Sequence, residues 1–195
     1  MTSSSSSAGP RRLRQSLLIS LNGVTSEPLS WAGPHFGPGS ASASLAALQA
    51  SSALLMGRGT YDLFSRQWPV ASGAYADFLN AMPKYVFSST LGDASWTNTS
   101  VVPGDVVAAV TKLKRTPGKD LMVYGHGQLG QTLIDAGLVD ELTLMIVPVC
   151  IGVDTPMYRP GGAAQTWDLV SAGPGNDPGL ASLTYRPRRP PEAAP

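Results

Sequence analysis

Apolar residues fall along this chain in short runs, separated by amphipathic stretches and by turns rich in Gly and Pro. The segment LRQSLLISLNG reads as a strand that closes in a turn at Asn22-Gly23. VTSEPLSWAGPHFGPGS follows as a long Gly/Pro loop carrying Trp31, His35 and Phe36, and loops of that length inside a domain are often functional. ASASLAALQASS predicts a small helix with Leu45 and Leu48 on one side. ALLMG (53–57) is apolar throughout, as a strand covered on both faces is. GAYADFLNAM predicts a helix and KYVFSST (84–90) a strand. GDVVAAVTKLKRT predicts a helix that turns Val106, Val107, Val110 and Leu113 inward. DLMVY (120–124) is a second buried strand. The helix GQLGQTLIDAG buries Leu129, Leu133 and Ile134 and stops at Gly137, a residue suited to the left-handed C′ position. ELTLMIVPV is a strand, and TWDLVSAG with LASLTYRP predicts a closing antiparallel pair. Strands alternate with helices first and then finish alone. The expected fold class is α/β, with a mostly parallel sheet and an antiparallel edge.

The 195 residues suit one domain. Residues 1–12, rich in Ser, Gly, Pro and Arg, are expected to be a disordered leader, 13–186 the domain, and 187–195 a disordered Pro/Arg tail. Arg11, Arg12 and Arg14 at one end, and Arg186, Arg188 and Arg189 at the other, read as solubilising ends. A net charge of +1 leaves no clustered basic face for nucleic acid. No apolar run reaches the ~20 residues of a membrane span. The short run after the twin arginines lacks the length of an export-signal core. A single cysteine, Cys150, allows no intrachain disulfide and reads as a buried inert thiol in IVPVCIG. These features predict a cytoplasmic protein with no metal, nucleic-acid or membrane partner.

Candidate chemistry begins at Gly125-His126-Gly127-Gln128-Leu129-Gly130, which spells G-x-G-x-x-G between a strand and a helix. A dinucleotide-binding Rossmann unit also needs an acid at the tip of the next strand. That strand ends in IVPVCIG, and Asp140 and Glu141 fall at its start. The Rossmann topology is therefore disfavoured, but the phosphate physics survives. A helix N-terminus offers free N–H groups and the positive end of its dipole, and glycines permit close backbone approach. Alone, the motif fits equally a plain tight turn. Gly57-Arg58-Gly59-Thr60 repeats the strand–helix junction with a guanidinium and a hydroxyl, and Ser88-Ser89-Thr90 ends a third strand. Together the three describe a crevice for a phosphorylated dinucleotide.

The ordered blocks SLNG (20–23), LLMGRGTYDLFSRQWP (54–69), KYVFSSTL (84–91), DLMVYGHGQLGQTLIDAGLVDELTLMIVPVCIG (120–152) and the terminal β pair resemble the dihydrofolate reductase superfamily. They resemble most its stand-alone reductases of the riboflavin-biosynthesis (RibD C-terminal domain) type. The resemblance implies a dihydrofolate-reductase-like fold, an NADPH-dependent oxidoreductase and a homodimer. It implies that Gly57, Arg58 and Thr60 contact phosphates, with Arg58 on the 2′-phosphate. It puts Ser88 and Ser89 on the adenosine side, and Gly125, His126, Gly127, Gln128 and Leu129 around the pyrophosphate. Asp140 and Glu141 read as structural.

Two positions depart from the family pattern. Asn22 stands where the family usually has Asp, and an amide supplies no proton. Gly152-Val153-Asp154 brings a carboxylate where Gly-x-Gly is common, so Asp154 reads either as a surrogate acid or as a solvated turn residue. His35 and Glu27 are further proton-transfer candidates, although the exposed or structural reading is the weightier one for His35. Trp31, Phe36 and Trp68 fit either an aromatic floor for a flat substrate or core packing. The expected activity is hydride transfer from NADPH to a C=N, C=O or activated C=C bond of a small cyclic or conjugated molecule, pterin- or aminopyrimidine-like or a specialised metabolite. The alternative is a nucleotide-binding, catalytically silent member acting through a partner or as a sensor.

Overall fold

The computed structural model describes residues 10–152, 157–158 and 164–188. Eight strands form one sheet: β1 (Leu13–Ser20), β2 (Ser51–Gly57), β3 (Lys84–Phe87), β4 (Thr99–Val102), β5 (Asp120–Tyr124), β6 (Glu141–Val147), β7 (Trp167–Pro174) and β8 (Ala181–Pro187). Their order is β4-β3-β2-β5-β1-β6-β8-β7. Pairings among β1 to β6 are parallel, and β8 runs antiparallel to both β6 and β7. The helices are α1 (Pro28–Ala32), α2 (Pro38–Gln49), α3 (Arg58–Gln67), α4 (Ala74–Ala81), α5 (Val106–Arg115) and α6 (Gly127–Asp135). The architecture is the expected one, a mostly parallel sheet flanked by helices with an antiparallel C-terminal pair.

The continuous apolar run of β2 has a simple cause. Ala53 and Leu55 pack into a core shared with α5 and α6, while Leu54 and Met56 pack with α2, α3 and α4 on the other face. Both faces are covered, so neither side of the pleat is polar. β5 divides in the same way, with Leu121 and Val123 on one face and Met122 and Tyr124 on the other. Burying one such leucine stabilises the fold by about 1.5–3 kcal/mol.

Several expectations are corrected. The stretch read as one long loop after Gly23 contains α1, a single 3-10 turn over Gly33–His35 and the start of α2. Proline stands at the first or second position of each piece, where its missing N–H costs nothing. The strand KYVFSST ends at Phe87, and Ser88–Thr90 lie beyond it. β4, only four residues long, escaped the pattern. In α5 the inward face is Val106, Ala109, Val110 and Leu113, while Val107 is exposed, one step of about 100° away from that stripe.

The arginines are also not loose ends. Arg11 is buried and donates to Lys119 O (2.7 Å), Thr116 Oγ1 (2.9 Å) and Ser52 Oγ. Arg12 pairs with Asp120, Arg14 and Arg186 with Glu141, and Arg188 with Asp168. Packed structure therefore includes Arg11 and Arg188, whose N–H donates to Thr166 O at 2.9 Å. Cys150 is exposed, because β6 ends at Val147 and the chain leaves the sheet at Pro148. Asp154 and Arg189 lie outside the described residues. Asp140 and Glu141 have the structural role expected: Asp140 accepts from Leu13 N (2.7 Å) and Lys114 Nζ (2.5 Å). Among the described residues, no helix is long and apolar enough to cross a membrane.

Candidate functional site

A cleft of about 1280 Å³ opens at the carboxyl ends of the parallel strands. Drug-sized ligand sites run from about 300 to 1,000 Å³, so there is room for a dinucleotide beside a second small molecule. Every residue expected to contact cofactor lines this one cleft: Gly57, Arg58 and Thr60; Ser88 and Ser89; and Gly125 through Leu129. They arrive from the ends of β2, β3 and β5, which are adjacent in the sheet order with β2 in the middle.

The two glycine turns touch. Gly125 has φ +80, and a Cβ there would lie 2.9 Å from Thr60 Oγ1. Gly127 has φ +50, and neither it nor Gly59 has an atom within 4 Å of where a Cβ would sit. That open space in front of the first turns of α3 and α6 is where a phosphate would approach their N–H groups. Beneath the turn, buried Gln15 of β1 donates from Nε2 to Gly125 O (2.9 Å) and lies 3.2 Å from His126 Nδ1. A side chain at Gly130 would overlap Gln15, so the glycine lets the helix settle onto β1. Arg58 turns its Nε to Asp62 (2.7 and 2.8 Å), an exposed pair one helical turn apart. Ser88 Oγ accepts from the N–H groups of Thr90 (3.2 Å) and Leu91 (3.1 Å), which fixes the loop after β3.

The other sequence candidates are placed less uniformly. Phe36 and Trp68 line the cleft, whereas Trp31 is buried under α1 with Val147 and Leu180 and donates from Nε1 to Ser26 O (3.0 Å). His35 is half-buried in its 3-10 turn and is not among the lining residues. Glu27 lines the cleft at the start of α1 with a left-handed backbone, φ 47. Asn22 is a latch. Its Oδ1 accepts from Ser20 Oγ (2.8 Å) and Ile151 N (3.0 Å), and its Nδ2 donates to Ile151 O (2.8 Å). A carboxylate would have no donor to offer that carbonyl.

Sequence reasoning named Trp68 but missed the aromatic and hydroxyl cluster around it. Phe64, Trp68, Tyr75, Tyr124 and Ser44 all line the cleft. The rings meet edge to face: Phe64–Trp68 at 5.9 Å, Phe64–Tyr124 at 6.3 Å and Trp68–Tyr75 at 4.9 Å between centroids. Burial pushes the Tyr75 hydroxyl up to about 12 and the Tyr124 hydroxyl well above the ordinary tyrosine value, with the neighbouring Tyr75 adding to the latter. Both hydroxyls therefore keep their protons. The local signals were Trp68, named from the sequence as a candidate aromatic floor, and Tyr124, the last strand residue before the glycine turn.

The fold and the cleft together define a dihydrofolate-reductase-like α/β protein. The model of the family described as the RibD C-terminal domain matches residues 13–175, and the chain belongs to that family. It is 34% identical over 111 residues to the uncharacterized protein YyaP of Bacillus subtilis (strain 168), a match covering 54% of this chain and 58% of that one. A putative riboflavin biosynthesis protein from Shewanella sp. PV-4 superposes with a TM-score of 0.73 at 19% identity, over 91% of this chain and 99% of that one. Dihydrofolate reductase from Enterococcus faecalis, complexed with NADP(H), gives 0.61 at 16% identity over 91% and 97%. At these identities the structural likeness speaks for the fold.

Proposed function

We propose that this chain is an NADPH-dependent reductase, delivering hydride to a C=N, C=O or activated C=C bond of a small cyclic or conjugated molecule. The observation that carries the reading is the convergence of Arg58 and Thr60, Ser88 and Ser89, and the Gly125–Leu129 turn on one cleft. The chemistry of these groups fits a phosphorylated dinucleotide: two helix N-termini for the pyrophosphate, hydroxyls for the adenosine side, and a guanidinium for a phosphate monoester. NADPH, when bound, supplies the hydride. The chain's part is to hold and orient. Gln15 fixes the carbonyl of Gly125 so that the first turn of α6 faces the cleft. Arg58 stands at the N-terminus of α3, where its guanidinium separates a 2′-phosphate from a 2′-hydroxyl. Among the described residues, Glu27 is the weighed acid that lines the cleft.

Asn22 favours a second reading, a nucleotide-binding member without turnover that acts through a partner or as a sensor. The family's Asp position is here given over to a structural amide latch. Titration with NADPH and NADH, followed by nicotinamide fluorescence, tests the cofactor reading. NADPH is expected to bind at least tenfold more tightly than NADH, and Arg58→Ala to erase that preference. Equal or absent binding of both nucleotides removes the reductase reading. Turnover of bound NADPH against a panel of carbonyl and imine compounds separates the enzyme from the silent member.

A further inference from the structure

Four asparagines occur in the chain, and Asn22 is the one followed by glycine. An asparagine amide is a slow electrophile, and asparagine counts among the thermolabile residues. Its nearest attacker is the backbone nitrogen of the next residue, which closes a five-membered ring. Glycine offers that nitrogen with no side chain in the way. Asn22 is exposed, and nothing lies within 4 Å of where a Cβ on Gly23 would sit.

The latch is what restrains the amide. Oδ1 accepts from Ser20 Oγ and Ile151 N, and Nδ2 donates to Ile151 O. The attacking nitrogen is engaged as well, since Gly23 N donates to Ser20 O at 3.0 Å. These are individual bonds at an exposed turn, and such bonds open locally while the domain stays folded. The turn joins several segments. Leu21 N donates to Val149 O (2.8 Å), Met157 N to Gly23 O (3.1 Å) and Val24 N to Ser20 Oγ (2.9 Å). Directly after Val24 the chain becomes cleft wall, with Thr25, Ser26 and Glu27 lining it.

We propose that Asn22-Gly23 is a self-modifying site, whose conversion unlatches the turn and loosens the cleft wall beyond it. Gly23 N gives its proton to hydroxide and bonds to Asn22 Cγ. The Cγ–Nδ2 bond breaks, and Nδ2 leaves as ammonia after taking a proton from water. Water then opens the resulting imide at either carbonyl. One opening gives aspartate, and the other gives isoaspartate, with the main chain rerouted through Cγ. One water is consumed and one ammonia released, and nothing is oxidised or reduced. Neither product restores the latch. Aspartate turns a second acceptor oxygen on Ile151 O, where the amide had a donor. Isoaspartate also adds a carbon to the backbone, which pulls Gly23 and Val24 off their anchors. The change runs one way, needs no enzyme and proceeds whichever ligand the cleft holds.

Incubating the full chain in mildly alkaline buffer at body temperature, with peptide mapping by mass spectrometry, tests this. The free peptide of residues 17–30 is the reference. Local opening should slow Asn22 about tenfold, so it is expected to be about half converted when the peptide has passed about ten half-lives. Asn80, Asn98 and Asn176 should still be amides at that time. The converted chain carries an added negative charge and is isolated by ion exchange. Its amide hydrogens over residues 24–33 are expected to exchange about tenfold faster than in the fresh chain, with β5 and α6 unchanged. An Asn22 that is still wholly an amide at that time overturns the proposal. So does conversion of all four asparagines together, which would report global unfolding, or exchange over residues 24–33 that is the same in both forms.

Discussion

Tyr124 and Tyr75 show how much one residue's setting decides. Of the six tyrosines in the chain, these two sit in the cleft wall, where burial holds their hydroxyls protonated. An acid whose folded pKa is raised stabilises the fold fully below its unfolded value and loses that contribution as pH climbs towards the folded one. For Tyr75 the window runs from about 10 to about 12. Stability should fall there by up to about 1.4 kcal/mol per pH unit for each such tyrosine. Absorbance at the phenolate band, read against pH, is expected to show the two ionising only with unfolding; both titrating with the exposed tyrosines would contradict their burial. None of this was legible beforehand. Ser44, Tyr75 and Tyr124 come from α2, α4 and β5, and no period or spacing links them. Asn22 was legible only as a departure from a pattern, and its actual work, clasping both backbone groups of Ile151, needed the fold.

At the scale of elements, the strand–glycine–helix junctions were readable because the physics that makes them is local. A buried strand must stop, the chain must turn sharply, and a helix must begin with its N–H groups exposed. The glycines at 125 and 127 mark that demand, and their φ values of +80 and +50 meet it. They are not equivalent. A methyl at Gly125 runs into Thr60 Oγ1, while at Gly127 it meets nothing within 4 Å. Gly125→Ala is expected to cost roughly 2 kcal/mol and Gly127→Ala about 1 kcal/mol, measured by urea unfolding. Thr60→Ser keeps the hydroxyl and should not rescue Gly125→Ala, whereas Thr60→Ala should recover part of the loss in a double-mutant cycle. Equal costs at the two glycines would mean the turns are not in contact. What the local pattern could not disclose was that α1, a 3-10 turn and the first residues of α2 form inside the Gly/Pro stretch. There the organising contact is remote: Asp177, in the β7–β8 turn, accepts from the N–H groups of Gly37 (2.9 Å), Gly39 (3.0 Å) and Ser40 (2.8 Å).

For the whole molecule, the sheet has two different ends. β4 closes one, and β7 closes the other with Leu169 and Val170 exposed along eight residues. Open edges with exposed apolar side chains invite pairing unless something blunts them. We propose that the homodimer expected from the sequence forms through β7. Sedimentation should find twice the monomer mass of 20.3 kDa, and Leu169→Lys with Val170→Lys should reduce it to the monomer. A wild-type chain that sediments as a monomer would refute this. The order of blocks along the sequence carried the overall architecture, since alternation of strand and helix leaves few topologies open.

That architecture sets the order of synthesis against the order of assembly. β1, the first strand made, ends between β5 and β6, both made more than a hundred residues later. At about 5–20 residues per second of translation, its apolar residues wait on the order of ten seconds with both edges open. Protection in that interval has to come from outside the sheet, from the ribosome or a chaperone. A chain whose synthesis stops after α5 keeps the sheet's middle strand and lacks both of its neighbours, so it is marked for aggregation or degradation rather than for partial function.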